Sequence, residues 1–193
     1  MAQRIVIIGG GPAGYEAALV GAKYGAEVTV VEDAGMGGSS VLWDCVPSKA
    51  FIAATGVRTD MRRADEMGLR PDFSQRKIDF TAVNERVKRL AQQQSDDVRA
   101  QMEREGIKML QGRGRLDDHD PGRVTHYVTV DLLEGGEVTL EADLVLVSTG
   151  ASPRILPGAI PDGDRILTWR QVYELEELPE HLIVVGSGVT GAE

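Results

Sequence analysis

Arg4-Ile5-Val6-Ile7-Ile8-Gly9-Gly10-Gly11-Pro12-Ala13-Gly14 is the stretch that decides the architecture. Arg4 to Ile8 is rich in β-branched residues, the composition of a strand buried on both faces of a parallel sheet. It passes directly into glycines at 9, 11 and 14. Glycines at those intervals serve a tight turn, a close backbone approach to a pyrophosphate and a close helix–strand contact. Tyr15 to Tyr24 is Ala-rich and helix-compatible, and Gly25 supplies a stop. The N-terminus of that helix offers free N–H groups and the positive end of its dipole to phosphate. A second strand, Glu27 to Val31, leads to Glu32, eighteen residues past Gly14, a carboxylate placed to accept hydrogen bonds from ribose hydroxyls. A GxGxxG alone is a common turn. Strand, glycines, helix, strand and terminal acid in that order predict a dinucleotide site.

A second fingerprint closes the chain. Leu182-Ile183-Val184-Val185 runs into Gly186-Ser187-Gly188-Val189-Thr190-Gly191-Ala192-Glu193, with glycines at 186, 188 and 191. Two dinucleotide sites suit an enzyme that passes hydride between two dinucleotides. Between them Asp143-Leu144-Val145-Leu146-Val147 reads as another buried strand, ending in Ser148-Thr149-Gly150. Because the chain stops at Glu193, barely inside the helix that the second fingerprint should start, it is expected to be a fragment of a longer protein.

The middle of the chain reads as framework. Pro47 stands near the start of a helix expected to run to about Arg62, where its missing N–H costs nothing. Gly68 to Arg76 reads as loop. A long helix is expected over about 80–105, with Phe80, Val83, Val87, Leu90, Val98 and Met102 on one face and Gly106 as its stop. That stripe reads as core. Ile107 to Leu110, Val124 to Leu132 and Val138 to Leu140 read as strands, the last two joined by the turn Glu134-Gly135-Gly136. Gly112 and Gly114 then fall in a loop.

The 193 residues carry a net charge of −9 and include one cysteine. An acidic surface argues against nucleic acid or anionic membrane as a partner. A lone cysteine excludes an intrachain disulfide and fits a reducing cytoplasm. No apolar stretch is long enough to span a bilayer. The apolar opening reads as strand, turn and helix in preference to a signal peptide, since it carries Glu16 and Lys23 and breaks at three successive glycines. His119, His126 and His181 stand in no metal-ligand spacing, so no metal is expected.

Gly37-Gly38-Ser39-Ser40-Val41-Leu42-Trp43-Asp44-Cys45-Val46-Pro47-Ser48-Lys49 resembles the redox motif of the flavin-dependent pyridine nucleotide-disulfide oxidoreductases, the family of lipoamide dehydrogenase and glutathione reductase. Ser148-Thr149-Gly150 is similar to that family's Ala-Thr-Gly element, with Ser148 in place of the usual alanine. The resemblance spans essentially the whole chain. It implies an α/β fold: a Rossmann-like, doubly wound FAD-binding domain over residues 1–152, with a parallel sheet, crossover helices and an antiparallel β excursion, then the start of a Rossmann-like NAD(P)-binding domain over 153–193. By family order the first fingerprint takes FAD through Gly9, Gly11, Pro12, Ala13, Gly14, Glu32, Gly38, Ser39, Lys49, Gly114, Thr149 and Gly150. The second takes NAD(P)H through Gly186, Gly188 and Gly191.

The resemblance also fixes the departure that matters. In the family a second cysteine stands where Ser40 stands here, and a hydroxyl cannot form a disulfide. The residues expected to carry catalysis are Lys49, Cys45 and Glu193. The family places the ammonium of Lys49 beside flavin N5, paired with the acid at Glu193, where a cation stabilises negative charge as hydride arrives. If Asp44 caps the helix, Cys45 sits in its first turn, where the dipole favours thiolate while Asp44 opposes it. Cys45 is either a small hydrophobe left over from the pair or a group that tunes the flavin. Trp43 replaces a smaller residue of the motif and is unexplained.

The motif with a lone second-position cysteine resembles that of an actinobacterial lipoamide dehydrogenase homologue acting as an NAD(P)H:quinone reductase. Ser148 to Pro157 and Thr168-Trp169-Arg170-Gln171 resemble the same subgroup. The expected activity is hydride transfer from NAD(P)H to FAD and onward to a quinone without a disulfide. Soluble transhydrogenase is the first alternative. A dihydrolipoamide dehydrogenase-like enzyme, a single-cysteine disulfide or peroxide reductase, and an inactive FAD-domain fragment follow. The resemblance further implies a homodimer at full length.

Overall fold

The computed structural model describes residues 2–69, 78–117, 122 and 124–193, so part of the expected loop at 68–76, and His119, lie outside the described residues. The elements, in chain order, are β1 (Arg4–Ile8), α1 (Pro12–Lys23), β2 (Glu27–Glu32), α2 (Gly38–Leu42), α3 (Cys45–Arg63), α4 (Phe80–Arg104), β3 (Lys108–Leu116), β4 (His126–Leu132), β5 (Glu137–Ala142), β6 (Leu144–Val147) and α5 (Val189–Ala192). Single 3-10 segments cover Ala64–Met67 and Trp169–Glu174. The residues form two compact units, Met1–Leu42 with Gln92–Ala151, and Trp43–Ala91 with Ser152–Glu193.

The first unit is built on one six-stranded sheet in the order β5-β4-β3-β2-β1-β6. β1 pairs in parallel with β2 and β6, and β2 with β3. β3 and β4, and β4 and β5, are antiparallel. This is a mixed α/β sheet of Rossmann-like kind with an antiparallel excursion. Period-2 alternation splits β1 between two cores. Ile7 joins Ala18, Val28, Val30, Met36, Val98, Met102 and Ile107 on one face. Val6 and Ile8 join Val31, Val128, Val130 and Ala142 on the other. Both faces of β1 are covered, which is why its sequence is continuously apolar.

β3 runs longer than the expected Ile107 to Leu110, and it changes partner midway. Thr29 to Glu32 of β2 face Lys108 to Gln111 in parallel, whereas Gly112 to Leu116 pair antiparallel with β4. Gly112 and Gly114 therefore lie in a strand, not a loop. At the changeover a side chain on Gly112 would meet the Asp131 carbonyl at 2.5 Å, and one on Gly114 would meet Ile8 and Val31 at 3.1 and 3.2 Å. Backbone crowding demands glycine at position 112, while at 114 the core side chains of Ile8 and Val31 pack close against the bare Cα. The run Asp143 to Val147 is also corrected: β6 is an edge strand, with Leu144 44% and Val147 59% exposed. An edge strand has one neighbour and stays partly open. A two-glycine turn at Gly135 (φ 96°) and Gly136 (φ 90°) closes the β4–β5 hairpin.

In the second unit α3 carries the residues after Trp43 and begins at Cys45, two residues ahead of Pro47. Phe51 of α3 packs edge-to-face against Phe80 at 5.8 Å and Tyr173 at 6.3 Å. Asn84 Nδ2 donates to the Leu175 carbonyl at 2.8 Å. The run Leu182 to Val185 forms no strand, and its four side chains are 63, 88, 56 and 76% exposed. A parallel strand exists only where a neighbour supplies its hydrogen bonds, and no described residue of this unit does so.

Candidate functional site

The first glycine turn joins the end of β1 to α1. Gly9 adopts φ 107°, a left-handed conformation closed to other residues. A Cβ on Gly14 would run into the Gly9 carbonyl, so the first turn of α1 lies directly against the strand end. Gly11, the N-cap of α1, carries no side-chain cap, and Pro12 occupies the first turn. A Cβ on Gly11 would meet only the Cα of Gly38, at 3.9 Å. As first-turn groups of α1, the N–H groups of Ala13 and Gly14 have no carbonyl within the helix to bond, and Gly11 sets no side chain beside them. The bare cradle and the helix N-terminus fit a dinucleotide pyrophosphate. Gly38 (φ 56°) and Ser39 begin α2, with Gly38 placed so that a Cβ would lie 2.8 Å from the Cα of Gly11.

Glu32 has backbone partners that its sequence position did not announce. Its Oε2 accepts the N–H of Gly10 at 2.6 Å, while Oε1 accepts those of Ala34 at 2.7 Å and Gly35 at 3.3 Å. The acid braces the turn. A carboxylate has about four lone-pair sites, so three backbone bonds leave room for a ribose hydroxyl. Thr149 and Gly150 (φ 69°) follow β6. Gly114 lies within β3, its bare Cα turned to the core residues Ile8 and Val31.

A second group of residues gathers at the start of α3. Asp44 occupies the N-cap position without a side-chain cap bond, and its carbonyl accepts the N–H of Ser48 at 2.8 Å. Cys45 is exposed at the first helical position. The structure brings Lys49 and Glu193 together as an ion pair in which Nζ donates to Oε1. The Lys49 side chain stays 59% exposed, against 24% for Glu193. Hydrogen bonding from Lys49, then Ser48, holds the Glu193 carboxyl below the ordinary carboxylate range. The same bond to Glu193 raises Lys49, so the ammonium keeps its proton. Burial, reinforced by the negative charges of Asp44 and Glu193, pushes the Tyr173 phenol up.

Trp43 has a partner that sequence reasoning missed. The Arg170 guanidinium lies 4.9 Å from the centre of the Trp43 ring and 5.4 Å from that of Trp169, both within cation–π range. The 3-10 segment carrying Arg170 starts with a capping box between Thr168 and Gln171. The signal was present in the sequence, since the chain's two tryptophans are the two rings used. Gly186, Gly188 and Gly191 form the second turn, with Gly186 at φ 122° and a Cβ on Gly191 blocked by the Gly186 carbonyl. No cluster of three His, Cys, Asp or Glu able to hold a metal occurs among the described residues. No helix there is long and apolar enough to cross a membrane.

Residues 3–193 match the family described as pyridine nucleotide-disulphide oxidoreductase. The chain belongs to this family. It is 57% identical to NAD(P)H dehydrogenase (quinone) of Mycobacterium tuberculosis over 100% of this chain and 40% of that protein. To dihydrolipoyl dehydrogenase of Chlorobaculum parvum it is 34% identical, over 98% of this chain and 39% of the relative. Among solved structures it superposes on LpdA from Mycobacterium tuberculosis with TM-score 0.92 and 55% identity, covering 100% of this chain and 41% of LpdA. The flavoprotein disulfide reductase RclA of Escherichia coli, at 22% identity and TM-score 0.76, shares the fold. The chain thus spans about 40% of the length of these relatives.

Proposed function

We propose that the full-length protein is an FAD-dependent oxidoreductase that takes hydride from NAD(P)H and delivers electrons to a quinone without a redox disulfide. The observation that carries this reading is the serine at position 40 in a chain whose one cysteine is Cys45. The name borne by the mycobacterial relative at 57% identity supports the acceptor class. When bound, the flavin supplies the ring that accepts hydride and passes electrons on.

The chain's own residues then divide the work. Residues 1–152 serve as the FAD-binding domain and 153–193 as the beginning of the NAD(P)-binding domain. Gly9, Gly11, Pro12, Ala13 and Gly14 hold the FAD pyrophosphate against the N-terminus of α1, and Glu32 orients the turn while accepting a ribose hydroxyl. Gly38, Ser39, Gly114, Thr149 and Gly150 complete the flavin contacts. Gly186, Gly188 and Gly191 perform the pyrophosphate task for NAD(P)H. Glu193 keeps Lys49 protonated, and the ammonium stabilises negative charge developing on its ligand. The protein works as a cytoplasmic homodimer.

The test uses the full-length protein with NAD(P)H and, in turn, a quinone, lipoamide and a thio-analogue of NAD. Fast quinone turnover with none on lipoamide is expected. Efficient transfer to the nicotinamide analogue would replace this reading with transhydrogenase, and efficient lipoamide reduction would end it. Cys45→Ser with unchanged quinone kinetics would make the thiol a relic of the family's cysteine pair, whereas a collapse would point to sulfur chemistry.

A further inference from the structure

The carbonyl of Gly9 is the point where three elements of the first unit meet. β1 delivers it, the first turn of α1 closes on it through the bare Cα of Gly14, and the end of β6 reaches it through Ser148. Ser148 Oγ lies 2.9 Å from the Gly9 oxygen and 3.1 Å from the Ile8 oxygen. A hydroxyl has one proton, so the two carbonyls share it, with the Gly9 contact the shorter. The Ser148 N–H donates separately to the Ile8 carbonyl at 2.8 Å. The packing leaves no slack: a Cβ on Gly9 would collide with the Ser148 carbonyl, and one on Gly14 would lie 3.0 Å from Ser148 Oγ.

We propose that Ser148 is a positioning residue for the dinucleotide turn, its hydroxyl holding the Gly9 carbonyl so that the N–H groups at the start of α1 stay aimed at the pyrophosphate. The second fingerprint isolates what Ser148 adds. There Gly191 closes on the Gly186 carbonyl as Gly14 closes on that of Gly9, but the third-nearest atom is the methyl Val184 Cγ1 at 3.6 Å, where the first turn has Ser148 Oγ at 3.0 Å. The glycine turn therefore forms without such a donor. In the first turn the hydroxyl ties an already formed loop to the edge strand of the sheet. Alanine at position 148 would keep the fold and leave the Gly9 oxygen without its hydrogen bond.

The inference rests on reading the first turn as the flavin site, and its test separates the two. Apo-protein of the full-length wild type, Ser148→Ala and Ser148→Thr is titrated with FAD by flavin fluorescence, and the melting midpoint is recorded with and without FAD. The loss of one hydrogen bond predicts FAD binding about three- to tenfold weaker in Ser148→Ala. The apo midpoint should fall slightly, as the loss of one part-buried hydrogen bond requires, the gain on adding FAD should shrink, and the KM for NAD(P)H should not move. Ser148→Thr, which keeps the hydroxyl, should bind close to wild type. Equal FAD affinity in Ser148→Ala and wild type overturns the inference alone, as does an equal loss in Ser148→Thr. A wild-type protein that takes up no FAD overturns the flavin reading and this inference with it.

Discussion

The two glycine turns share their N-cap backbone angles in contrasting surroundings. Gly11 and Gly188, the N-caps, sit at φ −69°, ψ −176° and φ −71°, ψ −176°. Tyr15 donates to the Gly11 carbonyl and Ala192 to that of Gly188, each at 2.9 Å. Yet the strand before the first turn is the centre of a core, with Ile7 1% exposed, and the run before the second is open, with Val184 56% exposed. Turn geometry is a local property of glycine spacing. Burial belongs to the sheet, and the second turn has none among the described residues.

The largest expected effect tests the local half of that comparison. Gly14→Ala should cost roughly 3 kcal/mol of stability and abolish flavin retention, because the new methyl meets a backbone carbonyl that the sheet prevents from moving. Gly191→Ala meets the equivalent carbonyl, yet with no sheet behind it the turn can yield. Denaturant unfolding of the 193-residue chain should show little change for it. Equal destabilisation by both would show that the second turn is held as firmly as the first.

A middle-sized effect tests the burial half. Ile7→Ala should lose about 2–5 kcal/mol, as a fully buried side chain does. Val184→Ala, two residues before its own first glycine as Ile7 is before Gly9, should stay within about 0.5 kcal/mol. A comparable loss at Val184 would mean that the second strand is covered in solution.

The smallest effect separates the ion pairs of the two units by pH. In the first unit Arg4 donates to Asp143 through Nη2 and its backbone N–H, both at 2.8 Å, and to Glu141 at 2.7 Å. Asp143 is thereby pulled from its ordinary 3.8 down to about 2. Its contribution is present above 3.8 and is lost as pH falls toward 2; alkali leaves it intact, because arginine keeps its proton. The Lys49–Glu193 pair fails at both ends. The lowered Glu193 contributes above its ordinary 4.5 and loses that as acid protonates it in the fold. The raised Lys49 contributes below its ordinary 10.5 and loses that above its folded value. Side-chain NMR titration should find an acid-only transition at Asp143. It should find coupled acid and alkaline transitions at Glu193 and Lys49. Both pairs are solvated, so the stability changes will be small.

Much of this was legible residue by residue. The β-branched run of β1, the glycine spacing, the 80–105 helix and the double-glycine hairpin all declare themselves within a few positions of chain. The changeover in β3 did not, because Gly112 and Gly114 look like loop glycines until β4 is known to press against the first and Ile8 and Val31 against the second. The half-exposure of β6 was hidden for the same reason, since an edge strand and a central strand can share one apolar sequence. Trp43 was conspicuous in the sequence, but its partner Arg170 lies far along the chain.

By itself the order of residues determined the two turns, the missing thiol at Ser40 and the apolar faces, because each follows from backbone sterics or side-chain chemistry acting over a few bonds. Only the tertiary structure decided that Ser148 reaches Gly9, that Glu32 braces the Gly10 end of the first turn and that Arg170 lies over the Trp43 indole. Those contacts join residues distant in sequence, and their existence depends on where the fold brings each pair, not on what either residue is.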